Sequence, residues 1–293
     1  MHLFQVGFAA DGWRNGAPVE ALLRRIVDEG VVVASTGAEA LVPGEWTTSA
    51  VAEPIEGGYR INARKAFCSQ APVMDIVRLN ARDADTGEIL VISVPASSEG
   101  VSVEQTWDTM GMRATESHHV SFENVEVPET AVGARLPAES PAQTPALAGV
   151  ATWFLSLMSS VYLGIAEEAR SLALELAGTG NNSRFRAREL TDTMIGEMET
   201  SFRTAEAVRE QIIGELDQDR SDPQSALRRA VLAKDSIIAN AERTVDQALQ
   251  LAGAQAYFRE SPLERLARDM RAARFHPPAA PTSMQMVGQR VSE

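Results

Sequence analysis

Near residue 149 the hydrophobic pattern of this chain changes from strand-like to helix-like and stays so to the end, and that switch restricts most of it to a sheet followed by helices. From Val31 to Pro128 short β-rich runs alternate with turn residues: VVVAS, GGYRINARKAF, DIVRLNARD, ILVISVPA, VSVEQTW and HHVSFENVEVP. Tyr59, Ile61 and Ala63 alternate with Arg60, Asn62 and Arg64, as in a strand with one wet face. Beyond residue 149 apolar residues recur three and four apart in four long stretches, which predicts helices. The fold class expected is therefore α+β, an antiparallel β-sheet domain followed by a C-terminal antiparallel four-helix bundle.

The expected boundaries follow from the same pattern. Residues 1–30 carry one short helix, with Val19, Leu22, Leu23 and Ile26 at helical spacing and Gly30 as its stop. Residues 31–130 form the β domain. Residues 131–148, rich in Pro, Ala and Gly, read as a linker, and residues 149–293 form the bundle. Asp222 with Pro223, and Ser261 with Pro262, mark the starts of the last two helices.

Composition excludes several function classes. The 293 residues carry 27 basic and 40 acidic side chains, a formal charge of −13 that argues against a nucleic-acid surface. One cysteine, Cys68, and four scattered histidines supply no disulfide and no metal-ligand spacing, so no metal is expected. The first residues, MHLFQVGFAADGW, lack a basic flank and a long apolar run, and no later stretch reaches ~20 uninterrupted apolar residues. A cytoplasmic protein without a membrane partner is the expectation.

Three strings carry the functional signal: GGYRINARKAFCSQAP (57–72), WDTMGMRATESHHVSFENVEVPE (107–129) and QLAGAQAYFRESPLERLARDMR (250–271). In this order they resemble the acyl-CoA dehydrogenase superfamily, over about Val31 to the C-terminus. The resemblance implies a flavin site. Phe67 matches the aromatic position beside the flavin ring, and Ser69 the hydroxyl near flavin N5 and O4. Ala38 and Glu39 match the string whose backbone meets the flavin pyrimidine. Gln250 and Gly253 retain part of the late Gln-x-x-Gly-Gly-x-Gly motif. Arg113 and Ser117 match the Gly-Met-Arg and the following hydroxyl near the substrate channel. His118 and His119 alternate faces, so at most one points inward, and solvated side chains are expected.

Departures from the family pattern bear on the chemistry. Members use a glutamate as α-proton base, either about eight residues past the late Arg-Asp or about ten before a Leu-Gly on the first bundle helix. Here those counts reach His276 with Pro277, and Phe154. The catalytic residue is therefore unassigned, and His276 reads as a helix stop. The diphosphate-binding Arg-x-x-Phe-Gly is replaced by GTGNN at 178–182. RAARFHPP (271–278) and VYLGIAEEA (161–169) resemble the flavin monooxygenase branch. Members also begin with a helical domain of roughly a hundred residues, of which this chain holds one helix; a partner chain, an open site or lost catalysis would each account for that.

Three functions are carried forward. The first is α,β-oxidation of an acyl thioester with FAD, by this chain alone or as one subunit of a heteromeric enzyme. The second is a two-component monooxygenase using reduced FMN and oxygen. The third is a catalytically silent subunit. A homo-oligomer, dimer or tetramer, or a hetero-oligomer with a related chain is expected in each case.

Overall fold

The computed structural model describes residues 1–37, 48–139, 144–178, 188–218, 222–278, 282–285 and 288. The chain divides into two compact units, Met1–Asp108 with Arg113–Trp153, and Thr109–Met112 with Phe154–Glu293.

The first unit is built on an eight-stranded sheet. Its strands are β1 (Val33–Ser35), β2 (Val51–Ile55), β3 (Gly58–Cys68), β4 (Ile76–Asp83), β5 (Ile89–Pro95), β6 (Val101–Glu104), β7 (His118–Pro128) and β8 (Val132–Leu136). The spatial order is β6-β7-β3-β2-β4-β5-β8, with β1 added to β4. The sheet is mixed where an antiparallel one was expected, because both β1 and β2 run parallel to β4. Alternation sets which face is buried: Tyr59 and Ile61 enter a core with Leu79, Leu90, Ile92 and Phe122, while Asn62 and Arg64 stay in water.

Two expectations about this unit need correction. The chain opens with two helices, α1 (His2–Arg14) and α2 (Glu20–Glu29). The apolar residues of α1 are spread around its circumference and interrupted by Gly7 and Gly12, so no single stripe betrays it. Gly7 is required by packing, since a Cβ there would sit 2.6 Å from the Trp153 ring. The segment read as a linker contains β8, a short edge strand pairing with β5 through Ile89↔Leu136. A five-residue strand next to a run of Pro and Ala leaves little alternation to detect.

The second unit contains α4 (Arg188–Gln218), α5 (Pro223–Ala252), α6 (Pro262–Met270) and most of α3 (Pro145–Gly178). Asp222 caps α5 as expected, accepting from the Gln224 amide. Arg170 of α3 pairs with Glu199 of α4, and Arg209 of α4 bonds Ser160 of α3, a crossed pairing that makes these helices antiparallel. The last helix is shorter than expected, nine residues followed by a 3-10 turn over Arg271–Phe275. By length and composition α3 could cross a membrane. Its apolarity has a structural cause: Leu155, Met158, Tyr162, Leu163, Ala166 and Ala169 all enter the helical core.

Candidate functional site

In the first unit, the end of β3 and the start of β7 are locally distorted. Between the pairs Lys65↔Val120 and Cys68↔His118, β3 spends one residue more than β7. Such a bulge twists its strand and re-aims a side chain. The residue re-aimed is Phe67, which takes φ 58° and stands 54% exposed. Gln70 and Glu116 also adopt positive φ, at 67° and 45°. Left-handed backbone in an aromatic residue is costly and persists where the surrounding structure enforces it, often at functional sites.

Around Phe67 the strands assemble an aromatic and hydroxyl surface. Trp107 and His119 meet the Phe67 ring edge-on, at centroid distances of 6.2 and 6.5 Å. Ser69 Oγ lies 2.8 Å from Ser117 Oγ, which lies 2.7 Å from Thr115 Oγ1. A flat exposed aromatic beside a line of hydroxyls suits a planar heterocycle with polar edge atoms. These residues fit a flavin ring.

His118 anchors this surface, which overturns its reading as a solvated side chain. It is buried, and its Nδ1 accepts from the backbone amides of Thr106 and Trp107 at 2.9 and 3.0 Å. An Nδ1 that accepts twice carries no proton, so Nε2–H donates to Glu116 Oε2 at 2.7 Å. His118 thereby fixes the backbone of Trp107. Alternation could say that one of two adjacent histidines faces inward; the amides it would bind lie in a loop that the pattern leaves open.

Nearby, Glu104 accepts from Arg64 and Ser121. The hydrogen bonds from Arg64, and then from Ser121, hold the Glu104 carboxyl down at about 2.

The other residues expected at the site are distributed as follows. Arg113 is exposed at the head of the 3-10 turn Arg113–Thr115 that leads to Ser117. Gln250 and Gly253 belong to the second unit, where Gly253 ends α5 with φ 71°. Ala38 and Glu39 lie outside the described residues.

In the second unit, the two family motifs near its surface lock together. Asp269 Oδ1 accepts from the Met112 amide at 2.6 Å, and Arg268 donates to the Met110 carbonyl at 2.7 Å. Between them Gly111 is pressed so closely that a Cβ would lie 2.2 Å from the Arg268 carbonyl oxygen. Met110, Gly111 and Met112 thus form one structural clasp with Arg268 and Asp269.

The two positions where the resemblance places a glutamate also converge. Phe154 and His276 pack ring to ring at 6.1 Å, and Tyr162 meets His276 at 5.6 Å. His276, read as a helix stop, is a packed side chain here. Burial, and after it the charge of Lys234, lowers its pKa to about 4. Burial raises the Tyr162 phenol, and Asp269 adds to the shift. No described cluster of His, Cys, Asp or Glu could hold a metal ion.

Comparison with known proteins bears on the family. The acyl-CoA dehydrogenase middle-domain model matches residues 37–125, and the acyl-CoA dehydrogenase C-terminal-domain model residues 156–280. The amino sugar nitrososynthase DnmZ of Streptomyces peucetius is 31% identical over 285 residues, covering 90% of this chain and 67% of that protein. The chain belongs to the acyl-CoA dehydrogenase superfamily. Within this superfamily of flavin-dependent oxidoreductases, it is also similar to the putative acyl-CoA dehydrogenase YdbM of Bacillus subtilis (strain 168). That relative is 29% identical over 94% of this chain and 72% of its own. Among solved structures, XiaF from Streptomyces sp., in complex with FADH2 and glycerol, matches with a TM-score of 0.75. It is 25% identical over 92% of this chain and 71% of that one.

Proposed function

We propose that this member of the superfamily is a flavin-dependent oxygenase that transfers one oxygen atom from O2 to the nitrogen of a small amine. The observation that carries this reading is the Phe154–His276 pair. Dehydrogenation of a thioester needs a carboxylate to take the α-proton, and both family positions for it hold aromatic rings in mutual contact. N-oxygenation requires no such carboxylate, because the amine nitrogen supplies its own lone pair. The relationship to an amino sugar nitrososynthase supports the substrate class.

Bound reduced flavin would supply the two electrons that let one oxygen atom enter the product and the other leave as water. The chain's own residues divide the remaining work. Phe67 and Trp107 would cover one side of the ring, and Ser69, Thr115 and Ser117 would hydrogen-bond its polar edge. FAD and FMN both fit that surface, since the ring alone meets these groups. Oligomerisation to a dimer or tetramer is part of the same reading, supported by the exposed Tyr257 and Phe258 at the end of the 3-10 turn that follows α5.

Visible spectra and oxygen uptake test the proposal. The expected result is oxygen consumption with reduced FMN or FAD, stimulated by a primary amine, with no bleaching of bound oxidised flavin by acyl-CoA. Anaerobic bleaching by a thioester would replace this reading with dehydrogenation, the base then coming from another chain. Failure to bind any flavin would leave the silent subunit.

A further inference from the structure

Arg78 lies on β4 with Ser35 of β1 directly opposite on one side and Ser93 of β5 on the other. Directly opposed residues project from the same face of a sheet. Gln5 of α1 meets that face, its Oε1 accepting from Arg78 Nη1 at 2.8 Å. This is the one hydrogen bond of the Arg78 side chain among the described residues, and its Nε is buried with no partner. A guanidinium holds only donors, so the Gln5 carboxamide presents its oxygen to Arg78 and its NH2 group elsewhere. Neither that NH2 group nor the Ser35 and Ser93 hydroxyls has a partner among the described residues.

Charge is unbalanced at the same place. Burial lowers the Arg78 pKa, and no charged neighbour contributes. Arg135 on β8 shows the contrast: it is exposed, yet Asp83, Glu88 and Glu129 all lie within 3.7 Å of it. Arginines withdrawn from water are seldom left without an anion. Space for one exists beside Arg78. Gly133 is the extra residue of a bulge in β8, since Val91 and Ile92 of β5 pair with Ala134 and Val132. It is exposed, and a Cβ there would meet nothing closer than Arg78 Nη2 and the Val91 carbonyl oxygen, both at 3.8 Å. The gap over Gly133 therefore opens from solvent onto Nη2.

We propose that Arg78, with the Gln5 amide and the hydroxyls of Ser35 and Ser93, forms a binding niche for an oxyanion, a phosphate or carboxylate group entering over Gly133. An oxyanion supplies what the niche lacks, negative charge together with several acceptor oxygens. A neutral carbonyl brings acceptors without charge, and an ammonium group is repelled. The chain as a whole carries a formal charge of −13, so its overall field opposes anions and retention has to come from these local donors. The niche shares no residue with the surface around Phe67 and Ser69 and needs no turnover, so it stands independently of the amine-oxygenase reading.

Calorimetric titration of the full chain with inorganic phosphate and with acetate, at fixed ionic strength and with chloride as the control, tests the niche. At least one of the two oxyanions is expected to bind more tightly than chloride. Arg78→Met should weaken that anion at least tenfold, the scale of one charge-assisted hydrogen bond. Arg78→Lys keeps the charge, loses the planar fork and should retain more affinity than Arg78→Met. Gly133→Val fills the approach while leaving the guanidinium in place, and should weaken binding about tenfold even if the Arg78 variants fold poorly. The bound anion should also raise the Tm of the parent, an effect lost in Gly133→Val. Competition identifies the source: phosphate that displaces FMN but not riboflavin makes the cofactor's own phosphate the occupant, whereas phosphate that binds alongside FMN makes it a separate ligand, and either result supports the niche. No binding of phosphate or acetate, or binding equal to that of chloride, overturns the proposal. So does an oxyanion Kd that neither Gly133→Val nor Arg78→Met changes.

Discussion

The side-chain oxygens of Ser69 and Ser117 lie 2.8 Å apart, although 48 positions separate them in the chain. One directly follows β3 and the other directly precedes β7, so the antiparallel pairing of those strands creates the contact. Removing either hydroxyl should weaken the bound flavin. Ser69→Ala is expected to raise the flavin Kd about tenfold, on the scale of one hydrogen bond, measured by quenching of flavin fluorescence. Ser117→Ala should act similarly, and the double variant should lose less than the product of the two, because the groups share one network. Unchanged binding in both single variants would remove this surface from the flavin site.

Phe67 separates shape from stability. Its backbone at φ 58° is strained by roughly 1–2 kcal/mol, a strain that glycine does not feel. Phe67→Gly should therefore leave Tm within a few degrees of the parent while flavin affinity falls at least tenfold. A large drop in Tm with intact flavin binding would make Phe67 an ordinary packing residue.

Gly111 tests the clasp in the second unit. A methyl group there meets the Arg268 carbonyl at 2.2 Å, so Gly111→Ala must push the loop off α6 and break the Met112–Asp269 bond. Overpacking of this kind costs about 1–3 kcal/mol. The expected drop in Tm is several degrees, read by scanning calorimetry. Asp269→Asn keeps an acceptor oxygen and should cost less; a larger loss for Asp269→Asn than for Gly111→Ala would contradict the geometry.

The fold was legible from the sequence wherever the pattern was local and periodic. β3, β4, β5 and β7 announce themselves by alternation, α5 by Asp222-Pro223, and α2 by its apolar spacing and Gly30. What escaped depends on partners elsewhere in the chain. α1 shows no apolar stripe and packs through Gly7, which makes room for Trp153, and His118 is buried where two loop amides donate to it. The site divides the same way. The motif strings gave Phe67, Ser69 and Ser117, which do assemble. Trp107 came with no separate signal, and the meeting of Phe154 with His276, 122 positions apart, could be located only by counting within the family pattern and not as a contact.

His276 gives stability a dependence on pH whose sign follows from burial. Its pKa in the folded chain is about 4, against an ordinary value of 6.5. Between those values the unfolded chain binds a proton that the folded chain refuses, so stability falls as pH drops from about 6.5 towards 4 and levels off below. The full effect is on the order of 1–3 kcal/mol, since one unit of pKa corresponds to ~1.4 kcal/mol. His276→Gln removes the titrating group. Its Tm relative to the parent should therefore rise steadily as pH is lowered from 7 to 4, measured in buffers of equal ionic strength. A difference that stays constant over that range would mean that His276 titrates normally, and with it would go the argument that Phe154, Tyr162 and Lys234 hold the imidazole neutral.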